Sequence, residues 1–229
     1  YSVVVAIPEI DRIFLHNPGA NNTFTKEDLN FELIKEAGLF HFGYPTIMQK
    51  MYEDGGDELE AIFKAVKECG LMTSLDMSAV DENTKAGKAD WYGILEKTLP
   101  YVDFFLPSVE EICYMLDKEK YDALQKRANG GDITEILSIE EDVVPLAEKI
   151  LNMGCKFAMV KCGAKGFYYQ AKDADAFALL EEESGLDFSS FAGKAGFEKS
   201  YVPNAVVSGT GAGDTTIAAF LTAMCKGYP

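Results

Sequence analysis

Short continuous apolar runs alternate with stretches of helical periodicity along most of this chain. Continuous apolar runs are typical of strands buried on both faces, whereas apolar residues spaced by three and four positions indicate helices. The predicted strands are residues 39–42, 72–75, 102–106 and 157–160. The predicted helices are residues 25–37, 59–66, 91–99, 109–116, 140–153 and 214–226. This alternation predicts an α/β fold, with a mostly parallel sheet that has helices on both faces.

Three further segments depart from the alternating pattern. Residues 2–7 and 12–16 are β-like runs at the start of the chain, and they predict a hairpin or two neighbouring strands. Residues 167–169 follow a glycine-containing turn and are expected to pair back on the strand before it. Residues 171–200 are acidic and show no clear period, so they are predicted to form a loop or an insertion.

Polar and charged residues gather where the predicted parallel strands end. Ligands of open α/β sheets bind beyond the carboxyl ends of the strands, so these positions are the first candidates for a site. The strand ends carry His41-Phe42-Gly43, Asp76-Met77-Ser78, Pro107-Ser108 and Lys161-Cys162-Gly163.

Composition excludes several classes of function. The formal net charge of the 229 residues is −16, which argues against a nucleic-acid partner because such proteins usually carry a basic face. No apolar run approaches the roughly 20 residues that a membrane-spanning helix needs, so no membrane association is expected. The five cysteines form no CxxC pair, which argues against a zinc site. Reduced cysteines of this kind are typical of a cytoplasmic protein.

The run Thr210-Gly211-Ala212-Gly213-Asp214, followed by a helix of small residues, carries the strongest chemical signal. Glycines allow backbone N–H groups to turn toward an anion, and a helix that starts there adds its positive N-terminal end. An aspartate beside such an anion can accept a proton from a hydroxyl, which suits phosphoryl transfer. The alternative is a glycine-rich turn with an aspartate at the helix start. A dinucleotide-binding motif is disfavoured, because the third glycine lacks the required spacing.

This run resembles the C-terminal signature of the PfkB (ribokinase-like) carbohydrate kinases. The resemblance implies that Asp214 deprotonates the acceptor hydroxyl of a sugar or sugar-derived substrate. It also implies that the amides of Gly211, Ala212 and Gly213 form the anion hole for the transferred phosphoryl group, and that ATP and Mg²⁺ take part. A non-catalytic descendant that binds a nucleotide or a sugar on the same fold is the alternative from another functional class.

Three more segments resemble that family in the family's order. Residues 17–21 are similar to the segment after the lid strands, residues 107–111 to its Asn-x-x-Glu motif, and residues 160–166 to the strand and turn beneath the nucleotide. The implied metal ligand is Glu111. The implied nucleotide-binding residues are Ser108, Lys161, Gly163, Gly166 and Thr210, and the implied sugar-binding residues are Asn21, Gly43 and Tyr44.

The resemblance also implies a domain organisation. Residues 1–20 would be part of a small β lid, through which a homodimer forms, and residues 21–229 would be the kinase core. We expect this core to be incomplete at both ends, because the chain opens on a strand at Tyr1 and closes at Pro229 soon after a helix.

Several positions depart from the family pattern and leave alternatives open. Ser108 stands where the family usually has asparagine, and Ser108-x-x-Glu111 is also a capping box. Lys161 stands where threonine is common, so its ammonium group either contacts ATP phosphates or extends to solvent. Ser208 stands where aspartate is frequent, which puts activation by potassium in doubt. Gly43-Tyr44-Pro45 either contributes to a sugar pocket or simply forms a turn.

Overall fold

The computed structural model describes residues 1–5, 13–202, 204 and 209–228. The strands are β1 (Ser2–Val5), β2 (Ile13–His16), β3 (Leu39–Gly43), β4 (Met72–Asp76), β5 (Phe104–Phe105), β6 (Phe157–Lys161), β7 (Gly166–Ala171) and β8 (Ala195–Lys199). The α-helices are α1 (Phe31–Ile34), α2 (Asp57–Lys67), α3 (Trp91–Thr98), α4 (Val109–Leu116), α5 (Lys118–Ala128), α6 (Val144–Asn152), α7 (Ala174–Ser184) and α8 (Ala212–Cys225).

Six strands form one sheet in the order β3-β4-β5-β6-β7-β8. The first four strands are parallel. β7 pairs antiparallel with β6, and β8 pairs antiparallel with β7, so the pairing predicted for residues 167–169 is confirmed. Gly43 lies opposite Asp76 at the ends of β3 and β4, and Ser108 is bridged to Lys161 just beyond β5. The carboxyl ends of the four parallel strands therefore lie along one edge of the sheet.

Helices cover both faces of this sheet, as predicted. One buried layer packs between the sheet and α2, α3, α4 and α6, and it includes Phe63 and Phe105. The other layer packs against α7 and α8, and it includes Phe104, Phe177 and Leu221. Because consecutive strand residues point to opposite faces, Phe104 and Phe105 serve different layers. This two-sided burial explains why the parallel strands are continuously apolar in sequence.

The strands β1 and β2 form a separate antiparallel ribbon, in which Ser2 lies opposite His16 and Val5 opposite Ile13. Its side chains are exposed along both strands. A two-stranded ribbon buries little apolar surface by itself, so it adds little to the stability of the core. Residues 6–12, where the two predicted runs continue, lie outside the described residues.

The single helix predicted at residues 25–37 is wrong. The chain forms a 3₁₀ turn over Lys26–Asp28, which is closed by a capping box with Thr25. Leu29 then takes an extended conformation, and the side chain of Asn30 caps the short helix α1. Side chains of this type offer the backbone local hydrogen bonds that compete with a continuous helix.

The loop predicted at residues 171–200 is also wrong, because the segment contains α7 and β8. Asp173 caps α7 by accepting a hydrogen bond from the N–H of Ala176. Phe177 and Leu180 are the buried residues of this helix, which is too few to produce a visible apolar period. The residues of β8 are exposed or half-buried at the edge of the sheet, so this strand carries no apolar run.

The helix predicted at residues 140–153 is present in two parts. A π-helical turn spans Ile139–Val143, and α6 follows it. Pro145 lies in the first turn of α6 and has no N–H to donate, so the regular α-helical hydrogen-bond pattern cannot run through this position.

A substitution at Gly166 tests the close contact between β7 and β8. Gly166 has φ 130° and ψ −143°, and a Cβ atom there would lie 1.9 Å from the carbonyl oxygen of Glu198 in β8. We predict that Gly166→Ala lowers the free energy of unfolding by more than about 2 kcal/mol, because this backbone region is essentially restricted to glycine and β8 must also move.

Gly185→Ala is the matched control, since Gly185 has φ 70° and a Cβ atom there meets nothing within 4 Å. This variant is expected to lose about 1 kcal/mol, the cost of a left-handed non-glycine residue. Urea unfolding measures both changes. Equal losses would show that contact with β8 does not require glycine at position 166.

Candidate active site

The carboxyl ends of the parallel strands and the N-terminus of α8 border a cleft of about 710 Å³. Tyr44, which follows β3, lines it together with Asp76 of β4 and Lys161 of β6. Ser108 and Gly213 complete this group from the starts of α4 and α8. Parallel strand order and register thus bring together residues from five elements that are far apart in sequence.

Lys161 and Asp76 form an ion pair in the cleft, with 2.8 Å between Nζ and Oδ1. Their side chains are 15% and 3% exposed, so Lys161 does not extend to solvent. Burial raises the pKa of Asp76, and the Lys161 cation opposes that shift. A Cβ atom on Gly213 would lie 3.7 Å from Lys161 Nζ, so the fixed positive charge is next to the start of α8.

The start of α8 follows a left-handed Gly211 with φ 77°. The N–H of Thr215 donates to Gly211 O at 2.8 Å, and the N–H of Ala212 donates to Gly209 O at 3.2 Å. First-turn N–H groups have no partner within a helix, and together they carry a partial positive charge. An anion can therefore bind beside Gly213. The N–H of Ala212 can donate to an anion only after its hydrogen bond to Gly209 O breaks.

Asp214 contacts a residue from the opposite side of the cleft. Its Oδ1 accepts a hydrogen bond from the hydroxyl of Tyr44. Tyr44 has the left-handed angles φ 64° and ψ 49°, and its N–H donates to Asp76 O at 3.2 Å. Burial, and then the bond to Asp214, raise the pKa of Tyr44, so the phenol stays protonated at neutral pH. The turn predicted around Tyr44 is present, and it also directs this side chain into the site.

Ser108 and Glu111 form a capping box at the start of α4. The N–H of Ser108 donates to Glu111 Oε2 at 2.7 Å, and the N–H of Glu111 donates to Ser108 Oγ at 3.4 Å. Burial raises the pKa of Glu111 to about 7, against the opposing effects of the Ser108 N–H and of Lys161. Both residues also line the cleft, so the capping role and a ligand-binding role are compatible.

The turn between β6 and β7 lines the cleft with Gly163 and Gly166. Gly163 has φ 58°, and a Cβ atom there would lie 2.6 Å from Thr134 Oγ1. The Thr134 hydroxyl is buried and has no hydrogen-bond partner among the described residues. Close packing therefore requires glycine at positions 163 and 166, and both residues also line the cleft.

The sequence-predicted residues divide into two groups. Eight of them line the cleft: Tyr44, Ser108, Glu111, Lys161, Gly163, Gly166, Ala212 and Gly213. Five are not part of its lining within the described ranges: Asn21, Gly43, Thr210, Gly211 and Asp214. Asp214 reaches the site through its bond to Tyr44, whereas Asn21 is exposed in a separate 3₁₀ turn, Gly19–Asn22. Ser208 lies outside the described residues.

Asp76, Asp132 and Thr134 also line the cleft. The sequence placed Asp76 at a strand end without giving it a role, and it did not indicate Asp132 or Thr134. Asp76 carried a usable signal, because it is a charged residue that ends a continuous apolar strand. Asp132 and Thr134 come from an isolated 3₁₀ turn, Ile133–Glu135, and its cap, whose sequence has no distinctive pattern.

The lining of the cleft is rich in carboxylates. Asp76, Glu110, Glu111 and Asp132 all contribute to it, and within the described part of the chain Lys161 is its one lysine or arginine. No group of three or more His, Cys, Asp or Glu residues in the described ranges is placed to hold a metal ion by itself. A metal at this site would therefore need oxygen ligands from a bound substrate or from water.

Comparison with known proteins identifies the family. The model of the pfkB family of carbohydrate kinases matches residues 3–229. The observed sheet and its helices are those of the ribokinase-like α/β fold, and the chain belongs to the pfkB family of carbohydrate kinases. In the part of the chain that the structure describes, no helix has the length and apolar character to cross a membrane.

Individual relatives are distant. Fructokinase-2 of Oryza sativa subsp. japonica is 25% identical over 165 residues, which cover 72% of this chain and 42% of the relative. A fructokinase from Xylella fastidiosa, solved with bound ATP, has a TM-score of 0.63 and 14% identity, over 99% of this chain and 56% of its own. A ribokinase from Arabidopsis thaliana, solved with ribose and ATP, has a TM-score of 0.61 and 20% identity, over 100% of this chain and 57% of its own. The chain thus spans about half the length of these relatives.

The buried carboxyl of Glu111 predicts a pH-dependent stability. Its pKa rises from the usual 4.5 to about 7 on folding, so the stabilisation is complete below about pH 4.5 and is lost as the pH rises through 7. We predict that Glu111→Gln, which keeps the capping box without the charge, raises Tm by about 3–6 °C more at pH 8 than at pH 5.5, where only part of the stabilisation has been lost. Differential scanning calorimetry without nucleotide or metal measures both values.

Glu96→Gln on the exposed face of α3 is the control, and it should shift Tm equally little at both pH values. A Glu111→Gln effect that is the same at pH 5.5 and pH 8 would show that the carboxyl does not titrate in this window.

Proposed function

We propose that the whole protein transfers the γ-phosphoryl group of ATP to a hydroxyl of a sugar or sugar-derived substrate. The observation that carries this proposal is a cleft lined by the N-terminus of α8 and the ion-paired Lys161, with the Asp214 carboxylate hydrogen-bonded to Tyr44 of that lining. Membership of the family supports a sugar kinase, and the relatives solved with ATP support ATP as the donor. The two relatives act on different sugars by name, so the sugar is left open.

In this proposal, Asp214 takes the proton of the acceptor hydroxyl while the hydroxyl oxygen forms its bond to the γ-phosphorus. The bond from that phosphorus to the leaving oxygen of ADP breaks in the same step. The amides at Gly211, Ala212 and Gly213 and the cation of Lys161 stabilise the charge on the transferred group. Thr210, Ser108, Gly163 and Gly166 help to hold the nucleotide, and Asn21, Gly43 and Tyr44 contribute to the sugar side.

The charge balance of the cleft supports a requirement for Mg²⁺. A polyphosphate would face four carboxylates that line the cleft, with Lys161 as the lining cation within the described ranges. Mg²⁺ would supply the missing positive charge and stabilise the negative charge of the polyphosphate. Mg²⁺ commonly takes one or two protein carboxylates and completes its shell with phosphate oxygens and water, so a site with Glu111 as its protein ligand fits this chemistry.

A second candidate function is nucleotide or sugar binding without catalysis. Two contacts favour it: Ser108 Oγ is engaged in the capping box, and Asp214 is engaged by Tyr44. Both contacts are single hydrogen bonds that a substrate can displace, and a binding module has no need of a carboxylate beside an anion site. Turnover of a sugar by the wild-type whole protein separates the two candidates, because a binding module would bind the ligand without phosphorylating it.

Assembly and location form the remaining part of the proposal. The β1–β2 ribbon exposes apolar side chains, with Val3 50% and Leu15 60% exposed. Covering such a ribbon with the same ribbon of a second copy would bury this surface, so we propose a homodimer formed through the lid. The free thiols Cys113, Cys155 and Cys162 are buried and support a cytoplasmic location.

Asp214 supplies the direct test of catalysis. We predict that Asp214→Asn lowers kcat of the whole protein by at least about 100-fold, because a positioned base is worth that much and asparagine cannot accept the proton. The ATP affinity and Tm should change little, since asparagine is also well tolerated at a helix start. Steady-state kinetics and a thermal melt of the same samples measure this.

The control is Asp175→Asn, which changes an exposed aspartate in the first turn of α7 and should keep kcat within about twofold. Near-normal kcat in Asp214→Asn would refute the assignment of Asp214 as the catalytic base.

Lys161 supplies a test of phosphate binding. We predict that Lys161→Ala raises KM for ATP by about tenfold or more, because a charge-assisted bond to phosphate is lost, while KM for the sugar changes by less than about threefold. Lys165→Ala is the control, because Lys165 donates to the carbonyl oxygens of Glu135 and Leu137 and does not line the cleft. An unchanged ATP KM in Lys161→Ala would leave Lys161 with a structural role alone.

A further inference from the structure

Tyr44 occupies a position on Asp214 that an acceptor hydroxyl can take. A hydroxyl can lose its proton to Asp214 Oδ1 only from within hydrogen-bond distance of that oxygen. In the structure the hydroxyl that donates to Oδ1 is the phenol of Tyr44, which comes from 170 positions earlier in the chain. The phenol therefore competes with any substrate alcohol that approaches Oδ1.

The backbone holds Tyr44 in this place. Its N–H is bonded to the carbonyl oxygen of Asp76 at 3.2 Å, on the neighbouring strand end. Its φ of 64° is unusual for a residue with a side chain, and the buried Pro45 follows directly. The phenol is thus held against Asp214 from a defined turn at the end of β3, and it does not rest there as a mobile surface side chain.

We propose that Tyr44 determines acceptor specificity by occupying Asp214 until a sugar displaces it, so that water is not activated as an acceptor. The inference rests on the proposed sugar kinase function. A single water gains one bond by displacing a phenol that is tethered at high effective concentration. A sugar makes several further hydrogen bonds in the cleft, and these offset the lost contact between Tyr44 and Asp214.

The reaction that Tyr44 suppresses is hydrolysis of ATP. The oxygen of a water molecule would bond to the γ-phosphorus, and the bond to the leaving oxygen of ADP would break. Asp214 would take one proton from that water, leaving inorganic phosphate and ADP as products. The step uses the same base and anion site as sugar phosphorylation, so suppressing it requires a group that blocks water but yields to a sugar.

The test removes the phenol oxygen and keeps the ring. In the whole protein with ATP and Mg²⁺ but no sugar, Tyr44→Phe is expected to raise the rate of phosphate release by at least about threefold, the change that corresponds to losing one hydrogen bond. The ratio of phosphate release without sugar to the kcat of sugar phosphorylation should rise by at least the same factor. Tyr92→Phe on the exposed face of α3 is the matched control and should change neither rate.

A role of Tyr44 in orienting Asp214 would change the two rates in a different way. If the phenol orients Asp214 during transfer, Tyr44→Phe lowers hydrolysis and sugar phosphorylation together, and the proposal is overturned. Unchanged hydrolysis with normal phosphorylation overturns it as well. A thermal melt of each variant shows whether the protein is folded at the assay temperature.

A second measurement tests the contact without relying on turnover. Ultraviolet difference spectra between the wild type and Tyr44→Phe isolate the ionisation of Tyr44 from that of the other tyrosines. Burial and, after it, the bond to Asp214 raise the pKa of Tyr44, so Asp214→Asn should lower that pKa by removing the second cause. An unchanged pKa would show that the two side chains do not meet in solution.

Failure of the proposed function is distinguishable from failure of this inference. A wild-type protein that phosphorylates no sugar overturns both the kinase assignment and the specificity role, while a fall in the Tyr44 pKa would still support the contact itself. A wild-type protein that phosphorylates a sugar, with no rise in hydrolysis in Tyr44→Phe, overturns the specificity role alone.

Discussion

The buried ion pair between Lys161 and Asp76 is the interaction on which the candidate site depends. It joins the ends of β4 and β6, which are separated by β5 in the sheet, and it places one positive charge beside Gly213 at the start of α8. Removing either partner would leave an uncompensated charge in a cleft that excludes much of the solvent, which is far more costly than losing a surface pair. The pair therefore fixes the electrostatics of the cleft as well as its shape.

Near this ion pair, the residues at the carboxyl-end edge of the sheet stabilise the local fold and also orient side chains of the cleft. The register that sets Gly43 opposite Asp76 also brings the N–H of Tyr44 to the Asp76 carbonyl, and this bond aims the phenol across the cleft at Asp214. The capping box that starts α4 uses the Glu111 carboxyl, and the burial of that carboxyl raises its pKa. Groups that stabilise the local fold are thus the same groups that the proposed chemistry would use.

Local patterns were sufficient to predict much of this arrangement. Continuous apolar strands gave the parallel sheet, their ends gave the location of the cleft, and the glycines before Asp214 gave the start of α8. The errors arose where short-range hydrogen bonds or one-sided burial weakened the pattern, as at residues 25–37 and at α7 and β8.

Contacts between distant parts of the chain could not be predicted in this way. Tyr44 and Asp214 are 170 positions apart, and Lys161 and Asp76 are 85 positions apart. From the sequence, Tyr44 could belong to a sugar pocket or to a turn, and Lys161 could contact phosphate or extend to solvent. Their partners depend on strand order and register, which a single sequence does not specify.

A crystal structure of the whole protein with Mg²⁺, a sugar substrate and a non-hydrolysable ATP analogue would test the central claim most directly. The account predicts the γ-phosphate between Lys161 Nζ and the first-turn amides of α8, at hydrogen-bond distances of about 3 Å. It also predicts a sugar hydroxyl on Asp214 Oδ1, in the place where the phenol of Tyr44 now donates. A nucleotide bound elsewhere, or a γ-phosphate that touches neither Lys161 nor the start of α8, would contradict it.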